Sequence, residues 1–308
     1  MRLLMVHPYG LGDMVLLTPL VRLLQEYDDD LRIDYLIMQP AAAEPIRRCD
    51  VTGRVITASL TPASLAKAVK TVRRIRYDAA WVSAGVNPLK AHALLSLLKA
   101  QRKALAPERV DLPHLPPAWR RHFTWRNLAL ARHLFQLPKT PPPPRFCLSG
   151  PPAAAQKGLI GIHPGSHPGY AAKRWGVTRY IILIEKLLRS GRRVRLFAGP
   201  AEREEARALR DYFGDSVAFV TGSLEEVARQ IAACELFIHN DSGLGHVASC
   251  FGCKILTLNA DAGARAFAQT EILSKRNTTL HLRTLPPKDD AQADAVFGVA
   301  ERILSCAE

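Results

Sequence analysis

The sequence predicts an α/β protein of two doubly wound, Rossmann-like domains that face a central cleft. Three observations predict it. Apolar runs of strand length alternate with helix-period segments, a proline-dense stretch divides them into two groups, and glycine-bearing turns directly follow several of the apolar runs. At 308 residues the chain is too long for one ordinary core and suits two domains of about 150 residues each.

In the first half, strand-like runs at Leu3–Val6, Ile33–Met38, Arg54–Thr57 and Ala79–Val82 alternate with helix-like segments at Val15–Glu26, Leu60–Ile75 and Pro88–Ala100. Residues 137–152, LPKTPPPPRFCLSGPP, hold seven of the 22 prolines and suit neither a helix interior nor a central strand, so they read as the linker. The first domain then spans 1–145 and the second 153–308. Beyond the linker, strands at Leu159–His163, Val194–Ala198, Ala218–Val220, Leu236–His239 and Ile255–Leu258 alternate with helices near 177–189, 201–212, 224–233 and 246–251. Such regular alternation calls for parallel sheets with right-handed crossovers. Residues Ala291–Ala307 read as a last helix, a candidate to pack back on the first domain.

Apolar content of 48% with 23% charged residues describes a folded soluble chain, and no apolar run approaches the ~20 residues of a membrane-spanning helix. The opening MRLLMVHPYG meets His, Pro and Gly too early for a secretory signal, which leaves a cytoplasmic location as the expectation. Six cysteines, at 49, 147, 234, 250, 253 and 306, are too sparse for a disulfide framework and read as reduced, mostly buried thiols. Cys250-x-x-Cys253 lacks the further ligands of a metal site. The net charge of +14 is uneven: Lys and Arg outnumber Asp and Glu by 22 to 11 in residues 1–150, but only by 20 to 17 in residues 151–308. A basic first half attracts phosphorylated substrates or anionic lipid headgroups, while no aromatic-interleaved RNA motif or helix-turn-helix pattern points to nucleic acid. Solvated helix faces are the alternative reading of those charges.

Three loops sit where chemistry is expected, outside the carboxyl ends of strands. In His7-Pro8-Tyr9-Gly10-Leu11-Gly12-Asp13, Gly10 and Gly12 admit close backbone approach, and Asp13 serves either chemistry or as the cap of the following helix. In Gly161-Ile162-His163-Pro164-Gly165-Ser166, followed by Lys173-Arg174-Trp175, Gly165 and Ser166 offer donors and Lys173 a point charge suited to phosphate; the alternative is a surface turn with a solvated basic pair. In Asn240-Asp241-Ser242-Gly243-Leu244-Gly245-His246, a buried strand meets a glycine-containing helix start, whose unpaired N–H groups favour an anion. Beside it, Ala198-Gly199-Pro200-Ala201-Glu202 places an acid that either caps its helix or binds ribose, and His246 faces a phosphate or satisfies a buried carbonyl. A dinucleotide fingerprint is absent, since G-L-G-D-M-V lacks a third glycine and Met38-Gln39 replaces the acid after strand two.

Together these residues resemble the family-9 glycosyltransferases, the ADP-heptose:lipopolysaccharide heptosyltransferases among them. The resemblance spans about the whole chain. It rests on G-L-G-D with Thr18-Pro19 five residues beyond Asp13, on H-P-G-S followed by K-R-W, on A-G-P-A-E, on Ser223-Leu224-Glu225-Glu226 and on N-D-S-G-L-G-H. It implies a GT-B architecture with an N-terminal acceptor domain and a C-terminal nucleotide-sugar domain. It also implies roles: Asp13 as general base, Lys173 as the cation meeting the sugar diphosphate, and Gly165, Ser166, Ser242, Gly243 and Leu244 around the phosphates. Glu202 falls to the ribose, Gly222 to the adenine edge, Asp241 to the donor sugar, His246 to the phosphate site, and Gly10 and Gly12 to the acceptor side. The chemistry implied is an inverting single displacement, with no cofactor beyond the ADP-sugar co-substrate and no metal. Two departures border the expected donor pocket. Asn259-Ala260-Asp261-Ala262-Gly263 replaces a G-P-T-D-P-like turn, and six residues separate Ser166 from Lys173.

The function expected is transfer of a sugar, heptose by the resemblance, from an ADP-sugar to an anionic glycan or glycolipid acceptor such as lipopolysaccharide inner core. The basic first domain would make peripheral contact with the inner face of the cell membrane. Two alternatives accompany it: a relative using a soluble acceptor or another nucleotide-sugar, and a nucleotide-sugar-binding protein without turnover. A nicotinamide oxidoreductase has little in the sequence to support it.

Overall fold

A computed structural model describes all residues except 51, 60, 111–118, 136–141, 167–171, 200–202, 261–268 and 307–308. The chain forms two compact units, one of Met1–Cys147 with Ala268–Glu271, the other of Leu148–Phe267 with Ile272–Glu308.

The first unit contains strands β1 (Arg2–His7), β2 (Arg32–Ile37), β3 (Thr52–Thr57), β4 (Tyr77–Val82) and β5 (Ala100–Leu105), with helices α1 (Leu11–Tyr27), α2 (Pro62–Val72), α3 (Pro88–Ser96) and α4 (Phe123–Leu134). All strand pairs are parallel, in the order β3-β2-β1-β4-β5. The central strands are buried on both faces, which is why β1, β2 and β4 read as near-continuous apolar runs. Leu4, Val6, Leu36, Tyr77, Ala80 and Val82 form one of its cores, and each fully buried Leu, Val or Ile contributes about 1.5–3 kcal/mol. Sequence reasoning missed β5, because Gln101-Arg102-Lys103 is an exposed edge with no apolar run.

Helix α1 carries Pro19 in its interior. Proline has no N–H, so the carbonyl of Val15, four residues earlier, loses its helical donor. The Thr18 hydroxyl replaces it, donating to the Val15 oxygen at 2.6 Å and accepting from the Arg145 N–H at 2.9 Å. Thr18-Pro19 therefore keeps the helix intact and ties the linker to it at Arg145. At the start of α4, buried His122 accepts from the Thr124 N–H, and its Nε2–H donates to the Glu271 carbonyl at 2.9 Å.

The second unit contains β6 (Gln156–His163), β7 (Arg193–Phe197), β8 (Ala218–Val220), β9 (Cys234–Asn240), β10 (Lys254–Asn259) and β11 (Asn277–His281), with α5 (Val177–Arg189), α6 (Arg203–Phe213), α7 (Leu224–Ala232), α8 (Gly243–Ala248) and α9 (Asp289–Ser305). Its parallel sheet runs β11-β10-β9-β6-β7-β8. Ile160, Ile162, Trp175, Tyr180, Leu183, Leu236 and Ile238 lie in its main core. The last helix belongs to the second unit. Ala293, Val296 and Ala300 of α9 are buried in the second unit's core, and Arg179–Asp289, Lys186–Asp294 and Arg192–Glu301 ion pairs tie the helix to α5 and the turn after it. Among the described residues, no helix is long and apolar enough to cross a membrane.

Candidate active site

Both sheets reverse their strand order beside their first strand. In the second unit the chain lays β7 and β8 on one side of β6 and then β9, β10 and β11 on the other, so the reversal falls between β6 and β9. That is where open parallel sheets leave a crevice for ligand. The two strands end level, His163 pairing in register with His239. The Pro164-Gly165-Ser166 and Asp241-Ser242-Gly243 loops therefore emerge side by side.

Asn240, fully buried, fixes this crevice. Its Oδ1 accepts from the Tyr180 hydroxyl at 2.9 Å and the Trp175 N–H at 3.3 Å, while its Nδ2 donates to the Pro164 and Gly165 carbonyls. One amide thus clamps the H-P-G-S loop to the K-R-W segment. Trp175 anchors that segment, buried edge-on against Tyr180 with its indole N–H donated to Gln292 at 2.8 Å. Its neighbour Lys173 forms a half-buried ion pair with Asp241. Arg174 pairs with Glu205 in the first turn of α6 and approaches the Ser166 hydroxyl at 3.4 Å.

Beneath the loops lies a layer of buried polar side chains. His163 Nδ1 is 2.9 Å from the Ser242 hydroxyl, and His239 reaches Thr257 through Nε2 at 3.1 Å. Burial holds both imidazoles neutral: His163 is pushed down to about 3, helped by His239 and Arg174, and His239 to about 4. Helix α8 rests directly on the His239 ring. A Cβ on Gly245 would stand 2.0 Å from His239 Cε1, so no larger residue fits at that position.

Ser242 occupies the N-cap position of α8 but makes no capping bond, its hydroxyl being turned to His163. The first N–H groups of a helix have no intrahelical partner, and here no N-cap side chain takes them. Because α8 has only six residues, its contribution to an anion is these N–H groups rather than a large dipole. Buried His246 lies one turn into α8.

Gly222 follows β8, two strands from β6, and is exposed. Its φ of +139° favours glycine, and a Cβ there would also displace the Glu226 carboxylate, 2.6 Å away, from its place. Ser223 and Glu226 of the S-L-E-E stretch form a reciprocal capping box on α7. Glu202, Pro200-Ala201, and residues 261–263 and 167–171, on which most of the two departures fall, lie outside the described residues.

The first unit repeats the plan. Its order reverses between β1 and β4, and again a histidine at the end of the first strand meets a serine from across the reversal. His7 Nε2–H points to the Gly10 carbonyl at 3.4 Å, leaving Nδ1 to accept from the Ser83 hydroxyl at 3.3 Å. Burial pushes His7 down to about 4. Tyr9, His7 and Phe123 pack edge-to-face, with centroids 6.1 to 6.2 Å apart, and hold the loop. Asp13 is half-buried in the first turn of α1, but the N-cap is Gly10. The capping role considered for Asp13 is therefore corrected: a carboxylate at the third helical position favours the helix dipole without being the cap. Gly12 is buried in the same turn.

Sequence reasoning named His163 and Asn240 in the two loops but not the supporting layer they form with His239 and Thr257. Its signal was present as polar residues interrupting the ends of apolar strands. Among the described residues, no three His, Cys, Asp or Glu side chains gather as a metal site.

Two doubly wound parallel-sheet units, each with a glycine loop at its switch point, are the building blocks of the GT-B fold. A family model described as glycosyltransferase family 9 (heptosyltransferase) matches residues 63–297, and the chain belongs to that family. It is 25% identical over 310 residues to lipopolysaccharide heptosyltransferase 2 of Salmonella typhimurium, across 84% of this chain and 82% of that protein. The Escherichia coli lipopolysaccharide heptosyltransferase 2 is also 25% identical, over 315 residues, with the same shares covered, 84% and 82%. Among solved structures, E. coli heptosyltransferase WaaC with ADP superposes at a TM-score of 0.73 with 19% identity, over 98% of this chain and 100% of that one. A family 9 glycosyl transferase from Veillonella parvula superposes at 0.78 with 16% identity, over 98% and 97%. At these identities the structural likeness establishes the fold.

Proposed function

We propose that the protein is an inverting glycosyltransferase that moves heptose from ADP-heptose to a hydroxyl of an anionic acceptor of the lipopolysaccharide inner-core type. The observation that carries this reading is the N-cap Ser242, whose hydroxyl is turned to His163 and does not cap the first N–H groups of α8, while Lys173 pairs with the preceding residue, Asp241. A diphosphate is the anion that fits such a mouth. In this reading Ser166 and Gly165 complete the phosphate contacts, Asp241 orients Lys173 and the donor sugar, His246 closes the phosphate site, Gly222 lies at the adenine edge and Glu202 meets the ribose.

The acceptor belongs to the first unit, with Gly10 and Gly12 giving room beside Asp13. The Asp13 carboxylate takes the proton of the acceptor hydroxyl as its oxygen attacks the anomeric carbon, and the bond to ADP breaks on the opposite face. The charge growing on the departing diphosphate is met by Lys173 and the α8 amides, with no metal required. The basic excess of residues 1–150 suits an acceptor carrying phosphates or carboxylates at the inner membrane face, reached from the cytoplasm. The names of the relatives support heptose and lipopolysaccharide as substrates.

Incubation with ADP-heptose and heptose-deficient lipopolysaccharide, with ADP release and acceptor mass as readouts, tests the proposal. Transfer of one heptose per acceptor is expected. Efficient use of an ADP-hexose in its place would remove the heptose assignment, and nucleotide binding without transfer to any acceptor would favour a binding protein.

A further inference from the structure

In the first unit the Cys49 and Cys147 sulfurs lie 3.1 Å apart although 98 positions separate them in sequence. We propose that these two cysteines form a peroxide-oxidisable dithiol, whose disulfide locks the chain where it leaves the first unit. Cys147 is the last residue of that unit's main segment and Leu148 begins the second. The residues leading to it are already fixed at two points: Arg22 donates to the Pro143 carbonyl at 2.9 Å, and Thr18 accepts from the Arg145 N–H at 2.9 Å. Cys49 is held in a tight turn, its N–H on the Ile46 carbonyl at 3.0 Å and its carbonyl accepting from the Thr52 N–H at 2.9 Å. Both partners are thus presented by fixed backbone, and the sulfurs need close by only about 1 Å to bond.

The remaining cysteines stand in other settings. Cys234 and Cys253 are buried, with thiols raised to about 12 chiefly by that burial, and Cys250 and Cys253 donate to the His246 and Ala248 carbonyls of α8. The close contact with Cys49 instead lowers the Cys147 thiol, with Arg145 and Arg48 favouring its thiolate against the opposing effects of burial and Asp50. That makes Cys147 the nucleophile. Cys147 is buried and Cys49 half-buried, which admits a small peroxide and excludes a bulky disulfide oxidant.

The chemistry balances in two steps. The Cys147 thiolate attacks one peroxide oxygen, the O–O bond breaks, and hydroxide leaves with a sulfenic acid on Cys147. The Cys49 sulfur then attacks the Cys147 sulfur, the S–O bond breaks, and the oxygen departs as water with the Cys49 proton. Two thiols are oxidised by two electrons and one peroxide becomes two waters.

The test treats the full-length reduced protein with hydrogen peroxide and follows it by thiol counting under denaturing conditions and by peptide mapping. Six free thiols should fall to four, with the Cys49 and Cys147 peptides joined. Amide exchange at Arg145, Phe146 and Cys147 should slow, and the thermal midpoint should rise by several degrees until a reductant reverses it. Cys49→Ser should leave a sulfenic acid on Cys147 that dimedone traps, a result independent of any change in stability. Six persisting thiols, a crosslink between other cysteines, or sulfinic acid on Cys147 of the unsubstituted protein without a crosslink would each overturn the proposal.

Discussion

His163 and Ser242 are joined across the switch point of the second sheet, Nδ1 to hydroxyl at 2.9 Å, and this contact couples the floor of the site to its mouth. Ser242→Ala deprives a buried imidazole nitrogen of that partner, which costs about 1–3 kcal/mol. Denaturant unfolding should show the loss in the second unit's transition, together with weaker ADP binding as the α8 mouth loses its support. Unchanged stability and affinity would mean that the contact is idle.

Four of the buried histidines, His7, His122, His163 and His239, make the fold acid-sensitive. Burial depresses His7, His122 and His239 to about 4 and His163 to about 3. Between those values and the unfolded value near 6.5 the unfolded chain binds protons that the native protein does not, so stability rises with pH in that window. It is fully present above about 6.5 and is lost as pH falls toward 4, each fully neutral histidine contributing a slope of about 1.4 kcal/mol per pH unit. Thermal midpoints measured from pH 7.5 down to 5 should drop, with proton uptake on unfolding. A flat profile would contradict the burial of these rings.

Gly245→Ala tests the seating of α8. The added Cβ meets the His239 ring at 2.0 Å, an overlap that forces the helix or the ring to move at a cost of about 1–3 kcal/mol or more. A lowered thermal midpoint and a loss of nucleotide binding are expected together. An alanine tolerated at full affinity would show that α8 does not rest on His239 as described.

Asp13 and Lys173 should fail in different ways. Because Gly10 is the N-cap of α1, Asp13→Asn should change stability by less than about 1 kcal/mol, yet lower kcat by about 10²- to 10⁴-fold if the carboxylate is the general base. Lys173→Ala should lower kcat/KM for the nucleotide sugar by about 10- to 100-fold, or ~1.4 to 2.8 kcal/mol, and weaken ADP binding itself. A large stability loss with Asp13→Asn, or ADP binding unaltered by Lys173→Ala, would reassign the residue concerned.

Much of the fold was legible because buried parallel strands must be apolar on both faces. Leu3–Val6 and Leu236–His239 announce themselves for that reason, and the glycine turns after them locate the switch points. Strands β5 and β11 were not legible, since Gln101-Arg102-Lys103 and Asn277-Thr278-Thr279 sit at sheet edges and carry polar residues that periodicity assigns to loops. In the site, Lys173 and Asp241 were each visible as charges, but their pairing depends on the adjacency of β6 and β9, which spacing alone does not encode. The S-L-E-E stretch turned out to include a helix cap. Asn240 was read only as part of its loop, because an amide becomes a clamp only when the segments at 164–165 and 175–180 converge on it.

The bond from His122 to the Glu271 carbonyl spans 149 positions. During synthesis β1 to β5 and α4 leave the ribosome long before that carbonyl exists, so the nascent first sheet can assemble early while one interior donor waits for its acceptor. Completion of the amino-terminal half is thereby tied to arrival of sequence near the carboxyl terminus, and a chain released before residue 271 would carry a finished sheet with an unfastened seam.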